Sequence, residues 1–264
     1  MRLALGCAAA LLSLAMPASA QLGAATQSPP PDGVAADGGA GNAKGHYHEL
    51  DALPDWGGIW FVQGGASGQG GGPQLPKLKG EYLERYQTWR GEVAANSGVT
   101  RRNRSNCSPP GMPRIMRLGQ YPYEFLFTPG RVTINQEAWM QTRTIWTDGR
   151  AHKEDPDPTF MGDSIGHWEG DTLVVDTIGI SDQLDIDTGM PHSAQFHLVE
   201  RIHLDPAEPD VLVNEMRMED PEALEEPFEV TVRYRRDRHG SLIEFQCAEN
   251  DRNPIDEEGN TEFL

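Results

Sequence analysis

The stretch YEFLFTPGRVTINQEAWMQTRTIWTDG, residues 123–149, contains runs of alternating apolar and polar residues punctuated by turn residues. Pro129-Gly130 separates the first two runs, and Asp148-Gly149 ends the stretch. Alternation with a period of two indicates β-strands, because successive side chains point to opposite faces of a sheet. Tight turns indicate antiparallel neighbours, since parallel pairs need long crossovers. The stretch therefore predicts an antiparallel β-meander.

The same alternation extends in both directions from this stretch. A first strand is predicted around Trp56 to Phe61, and later strands at 165–169, 172–180, 194–204, 211–219, 228–236 and 242–247. A meander of this length removes its exposed edges by closing on itself. We therefore predict an all-β domain over residues 53–250, closed into a barrel or, alternatively, bent into a sandwich.

One segment has helical periodicity. Tyr82, Tyr86, Trp89 and Val93 fall on one face of a helix over residues 79–96. This spacing predicts a single amphipathic helix packed on the sheet. The alternative is that its aromatic residues form the wall of a ligand site.

The amino-terminal 20 residues have the features of a secretory signal peptide. Arg2 precedes an apolar run from Leu3 to Met16, and Ala18-Ser19-Ala20 provides a small-x-small cleavage pattern. The run is shorter than the roughly 20 residues needed to span a bilayer. We therefore expect cleavage after Ala20 and a periplasmic or secreted protein without membrane insertion.

The rest of the chain is acidic and contains flexible segments. Residues 21–52 are expected to form a disordered linker and residues 251–264 an acidic tail. The 40 Asp and Glu against 22 Lys and Arg give a net charge of −18, which disfavours nucleic-acid binding. Nucleotide-binding glycine motifs are absent from the sequence, so we predict no cofactor.

Removal of the signal peptide leaves two cysteines, Cys107 and Cys247. An even pair in an oxidising compartment predicts one disulfide. Closing so long a loop stabilises a fold by about 5 kcal/mol in the chain-entropy description. A reactive thiol pair is the alternative, but the C-x-x-C spacing typical of such pairs is missing from the sequence.

Several sequence blocks resemble known families. The block at residues 56–60, WGGIW, resembles the G-x-W opening strand of lipocalin-like barrels, which implies a cavity for a small apolar ligand. The blocks CSPPGMPR (107–114), GDSIGHWEGDTLVVD (162–176) and PHS with a following His and ER (191–201) resemble an exported bacterial β-rich family. That resemblance implies positions for a functional site and no particular reaction.

Two carboxylates stand among apolar neighbours, because strand alternation places Asp176 and Glu200 each on an otherwise apolar face. A buried carboxylate is costly unless a cation pairs with it or it keeps its proton. Carboxylates in an apolar cavity support general acid–base catalysis. The alternative is that Arg143 or Arg233 neutralises them in structural ion pairs.

Histidines lie close to both carboxylates in the sequence and titrate near neutral pH. His197 is three residues from Glu200 on one predicted strand, so the two side chains point to opposite faces. Structural, hydrogen-bonded histidines are the alternative to catalytic ones. The predicted catalytic residues are Asp176, Glu200, His192 and His167, and the predicted ligand-binding residues are Trp168, His197 and Arg143.

Metal sites and activated serines are not predicted. The spacing His192-x4-His197-x2-Glu200 is not an established zinc pattern, and the acidic segment 182–189 lacks the calcium-loop pattern. The Gly-x-Ser-x-Gly elbow of serine hydrolases is also missing from the sequence.

Together these features predict a periplasmic enzyme that acts on a small, partly apolar molecule by cofactor-independent acid–base chemistry in a barrel cavity. Elimination, isomerisation and hydrolysis all fit. The alternatives are a non-catalytic ligand-binding protein on a lipocalin-like scaffold and a structural protein whose barrel is packed solid.

Overall fold

Nine β-strands close into a barrel in the computed structural model, which describes residues 47–64, 75–98 and 108–246. Around the barrel the strand order is β1-β11-β10-β9-β6-β5-β4-β3-β2, and β7 and β8 form a separate hairpin. The strands are β1 (Ile59–Val62), β2 (Tyr123–Thr128), β3 (Arg131–Gln136), β4 (Gln141–Trp146), β5 (Asp163–Glu169), β6 (Thr172–Ile178), β7 (Asp185–Asp187), β8 (Met190–Pro191), β9 (His197–Leu204), β10 (Val211–Glu219) and β11 (Phe228–Asp237).

The predicted all-β barrel with one helix is confirmed, and β2 and β10 have the predicted bounds. Two details of the meander were wrong. β4 and β5 are parallel, with Ile145 opposite Ser164, because residues 147–162 cross over between them. Residues 242–246 form no strand, because β1 pairs with both β11 and β2 and leaves no edge at that seam of the barrel.

The body of the domain begins before residue 53. His48–Leu50 form a 3₁₀ helix, and Leu50 is buried in the core. The rest of the predicted linker, the signal peptide, the acidic tail and the cysteines Cys107 and Cys247 all lie outside the described residues. The disulfide and the signal peptide therefore remain predictions.

Aromatic side chains fill one part of the barrel interior. The ring of Trp56 lies 5.4 Å from Phe125, 5.3 Å from Phe127 and 5.4 Å from Trp168 between centroids. The Trp60 indole donates a hydrogen bond to the Trp56 backbone oxygen at 2.9 Å. Alternation along β2 places Phe125 and Phe127 inside, where they meet Trp56 from the segment before β1 and Trp168 from β5. The sequence block that resembles the lipocalin opening therefore contributes packing.

The helix α1 (Gly80–Ala95) matches the predicted segment to within a residue at each end. Its apolar stripe is half-buried, and Trp89 lies directly against Gly189 in the β7–β8 hairpin. The Lys79 amide donates to the Ala223 oxygen at 2.9 Å, which ties the start of the helix to the β10–β11 loop. Among the described residues, no helix is both long and apolar enough to cross a membrane.

Gly111→Ala is expected to lower the free energy of unfolding by about 1–3 kcal/mol more than Gly149→Ala. Both glycines have positive φ, +67° and +83°, so both substitutions strain the backbone. A Cβ at Gly111 would also collide with the buried Leu184 side chain and lie 2.9 Å from the Phe160 oxygen, whereas a Cβ at Gly149 meets nothing within 4 Å. Urea denaturation measures the difference, and equal losses would contradict this packing.

Candidate functional site

Asp176 and Glu200 lie on opposite sides of the barrel wall. On β6 the buried positions are Leu173, Val175 and Thr177, which leaves Asp176 facing outwards. On β9 Glu200 faces inwards, and His197 faces outwards. The two carboxylates therefore do not share a cavity, although the predicted opposition of His197 and Glu200 is confirmed. β-Branched residues suit either face of a pleated strand, so an apolar set of neighbours did not identify the inner face.

Glu200 is held in a buried ion pair. The Arg143 Nη2 atom donates to Glu200 Oε2 at 2.5 Å, and the two side chains are 3% and 0% exposed. Asn214 Nδ2 donates to the other Glu200 oxygen at 2.8 Å. The Arg143 guanidinium also donates to Thr177 Oγ1 at 2.9 Å and to Ser164 Oγ at 3.3 Å. The structural ion pair with Arg143, the alternative to a catalytic Glu200, is what the barrel contains.

These contacts form a polar belt across adjacent strands. The belt takes one residue from each of five neighbouring strands of the barrel. They are Arg143 on β4, Ser164 on β5, Thr177 on β6, Glu200 on β9 and Asn214 on β10. Hydrogen bonding compensates for the cost of burying a charged pair. The belt therefore links five strands from inside.

His167 and Trp168 point to opposite faces of β5. His167 is exposed and its Nε2 lies 3.2 Å from Glu169 Oε1. Trp168 faces the interior and packs in the aromatic cluster with Trp56 and Phe127. Neither residue is brought to Glu200 or Asp176 by a direct contact.

His192 is buried, only 1% exposed, beside Phe196. Its Nδ1 lies 2.8 Å from the Ser193 backbone oxygen, and burial lowers the pKa of the imidazole below its ordinary value of 6.5. The Ser193 amide and hydroxyl both donate to Asp220 at 2.7 Å. The Pro-His-Ser block thus joins the chain before β9 to the β10–β11 loop.

A cluster of histidines and carboxylates occupies the outer face instead. Asp176 Oδ1 accepts hydrogen bonds from His197 Nε2 and from His152 Nε2, both at 2.9 Å. His152 Nδ1 in turn lies 2.9 Å from Asp163 Oδ2. We call these four residues the outer cluster. One predicted catalytic residue and one predicted binding residue, Asp176 and His197, meet in it.

Strand pairing places three members of the outer cluster close together. In the antiparallel β5–β6 pair, Asp163 is opposite Ile178 and Ile165 is opposite Asp176. In the β6–β9 pair, Asp176 is opposite Val199, two residues from His197 on the same face. The crossover 147–162 brings His152 over this surface.

The Asp176–His197 contact shifts both titrations. The hydrogen bond from His197, aided by that from His152, holds the pKa of Asp176 below its ordinary value of 3.8 despite partial burial. The same bond raises the pKa of His197 above 6.5 against the effect of its burial. Asp176 and His197 are 41% and 34% exposed, so the pair is accessible from solvent.

The second ring nitrogen of His197 has no hydrogen-bond partner among the described residues. The outer cluster therefore presents an imidazole whose one nitrogen is held by a carboxylate and whose other nitrogen is open. Within the described part of the chain, no group of three or more His, Cys, Asp or Glu is arranged to hold a metal ion.

Sequence reasoning missed His152 and Asp163. The β5–β6 turn at Glu169-Gly170-Asp171 sets a register in which Asp163 lies near Asp176. Asp163 could therefore have been identified by pairing the residues of the two strands outwards from this turn. His152 lies in a crossover without periodicity, and no local pattern identified it.

Comparison with known proteins gives no assignment: no model of a known protein family matches the chain, and a search of curated proteins finds no match. The resemblance of the sequence blocks to an exported family therefore remains a prediction. The candidate site depends on its own geometry.

Proposed function

We propose that this chain is a periplasmic enzyme that converts a small, partly apolar molecule by cofactor-independent acid–base chemistry at the outer cluster. His197 transfers the proton, and Asp176 orients it. The observation that carries this proposal is the 2.9 Å contact between Asp176 Oδ1 and His197 Nε2, with the second ring nitrogen of His197 open.

The contact with Asp176 selects the useful tautomer of His197. A carboxylate accepts only from a protonated nitrogen, so neutral His197 carries its proton on Nε2 and a lone pair on Nδ1. That lone pair is the base. When Nδ1 takes a proton from substrate or from water, Asp176 stabilises the imidazolium that forms. The proton then returns to product or to solvent, and the cycle closes.

The surroundings of His197 support a partly apolar substrate. Val199 pairs with Asp176 across the sheet, and Ile178 lies on the same outer face two residues beyond Asp176. Both side chains are half-buried. A ligand with an apolar body contacts these residues while its polar, reacting end meets His197 Nδ1. Apolar contacts combined with a few polar groups are typical of small-molecule sites.

The proposed site does not include the other residues predicted from the sequence, which are Glu200, Arg143, His192, His167 and Trp168. Glu200 and Arg143 neutralise one another inside the barrel, and His192 is buried away from solvent. A ligand-binding protein without catalysis is the second possibility, in which the same outer cluster only orients its ligand.

A metabolite screen tests the proposal. Wild-type protein, His197→Gln and His203→Gln are incubated with a pool of small molecules, and mass spectrometry follows depletion and retention. His203 is the matched control because it lies on the same strand and face but contacts the Leu204 oxygen at 3.0 Å rather than Asp176. A product of unchanged mass identifies isomerisation. Two products whose masses sum to that of the substrate identify elimination, and two whose masses sum to the substrate plus one water identify hydrolysis.

We expect wild type and His203→Gln to convert a compound and His197→Gln to do so roughly 10²–10⁴-fold more slowly. Equal turnover by His197→Gln would rule out this site. Retention of a compound without conversion by any of the proteins would favour the binding protein.

A further inference from the structure

A single carboxylate oxygen in the outer cluster serves two imidazoles. Asp176 Oδ1 accepts from both His197 Nε2 and His152 Nε2, each at 2.9 Å. A carboxylate oxygen has lone pairs for two donors, so both contacts are made at once. The position of Asp176 is therefore defined from two directions, by β9 and by the crossover 147–162.

The two histidines differ in what their second nitrogen does. The second nitrogen of His197 is open among the described residues, whereas His152 Nδ1 lies 2.9 Å from Asp163 Oδ2. Each ring nitrogen of His152 therefore lies within hydrogen-bond distance of a carboxylate oxygen. His152 thus has no nitrogen left for a substrate, and it acts only through Asp176.

The scaffold fixes His152 at both ends of its crossover. The Thr147 amide donates to the Gly130 oxygen at 2.8 Å, and the Thr159 amide donates to the Gly179 oxygen at 3.0 Å. The Lys153 amide, next to His152, reaches Asp163 Oδ2 at 3.3 Å. The His152 side chain is only 18% exposed. Groups locked by packing and hydrogen bonds orient those that react.

From these contacts we propose that His152, held by Asp163, is the positioning residue of the site and fixes Asp176 for His197 without touching substrate. The catalytic consequence rests on the proposed function, but the positioning itself does not. The parallel crossover between β4 and β5 is what delivers this residue to the outer face.

The charged groups that face His197 determine the direction in which its pKa moves when His152 is lost. They are Asp176 on β6, Glu219 opposite His197 on β10, and His152 with Asp163 behind Asp176. His152 competes with His197 for one oxygen, so loss of His152 leaves Asp176 to His197 alone. The pKa of His197 then rises further, whereas loss of Asp176 lowers it.

The test is a titration of His197 followed by nuclear magnetic resonance in wild type, His152→Gln and Thr159→Val. Thr159→Val removes the 2.9 Å contact from the Gly162 amide and loosens the same crossover without touching either histidine. We expect His152→Gln to move the His197 midpoint upwards and Thr159→Val to leave it in place. A midpoint that does not move, or moves downwards, in His152→Gln would overturn the inference, and so would an equal rise in Thr159→Val.

Kinetics separate this inference from the proposed function. Once a substrate is known, His152→Gln is expected to lower kcat near neutral pH roughly 10- to 100-fold with little change in KM, because the further-raised pKa of His197 leaves less of it as the free base while substrate contacts remain. If the titration shifts as expected but His197→Gln keeps full turnover, only the proposed function fails. If His197→Gln abolishes turnover and the titration does not shift, only the positioning role fails.

Discussion

Glu200→Ala is expected to lower the free energy of unfolding by about 3–5 kcal/mol. The substitution leaves the Arg143 guanidinium charged and unpaired in an interior where it is 3% exposed. It also removes the acceptor for Asn214 Nδ2, which lies 2.8 Å from Glu200. The large loss comes from an uncompensated buried charge rather than from the net contribution of the ion pair to the free energy of unfolding.

Urea denaturation of Glu200→Ala and Glu229→Ala measures this loss. Glu229 is the matched control, since it also pairs with an arginine, Arg217 at 2.6 Å, but its side chain is 67% exposed. Exposed ion pairs contribute about 0–1 kcal/mol. The double variant Arg143→Met with Glu200→Leu removes both charges and is expected to recover most of the stability. Equal losses in the two single variants would show that the belt does not contain a buried charge.

Asp176→Asn is expected to reduce kcat/KM by roughly 10²–10⁴-fold, the second large effect. The amide has nearly the shape of the carboxylate but no charge, so it neither stabilises an imidazolium at His197 nor fixes the tautomer with Nδ1 free. It also weakens the contact with His152, because the acceptor oxygen loses its charge. Asp171→Asn is the matched control, because Asp171 is exposed in the turn of the same β5–β6 hairpin.

Most of the fold could be predicted because alternation and turn residues are local signals. The turns at Pro129-Gly130 and Glu169-Gly170-Asp171 connect the hairpins β2–β3 and β5–β6. The predicted bounds of these strands agree with the observed bounds to within a few residues. The parallel β4–β5 pair was missed because a crossover without periodicity resembles any long loop. Pairing across it is set by the closed barrel and not by residues nearby in sequence.

The candidate site was only half predictable for a related reason. Alternation correctly separated the two faces of β6 and β9 but did not say which face is inside, so Asp176 was placed with Glu200. Arg143 was identified as a possible partner and is the partner of Glu200. His152 comes from the crossover, where only the tertiary fold brings a side chain to Asp176.

The most direct test of the acid–base site is the pH dependence of kcat/KM for the identified substrate in wild type and Asp176→Asn. Asp176 raises the pKa of His197 above 6.5, so His197 becomes a free base only as the pH passes that raised value. We expect wild-type kcat/KM to rise through a midpoint above 6.5, and the reduced activity of Asp176→Asn to rise at lower pH. An identical midpoint in both proteins would contradict an acid–base role for the Asp176–His197 pair.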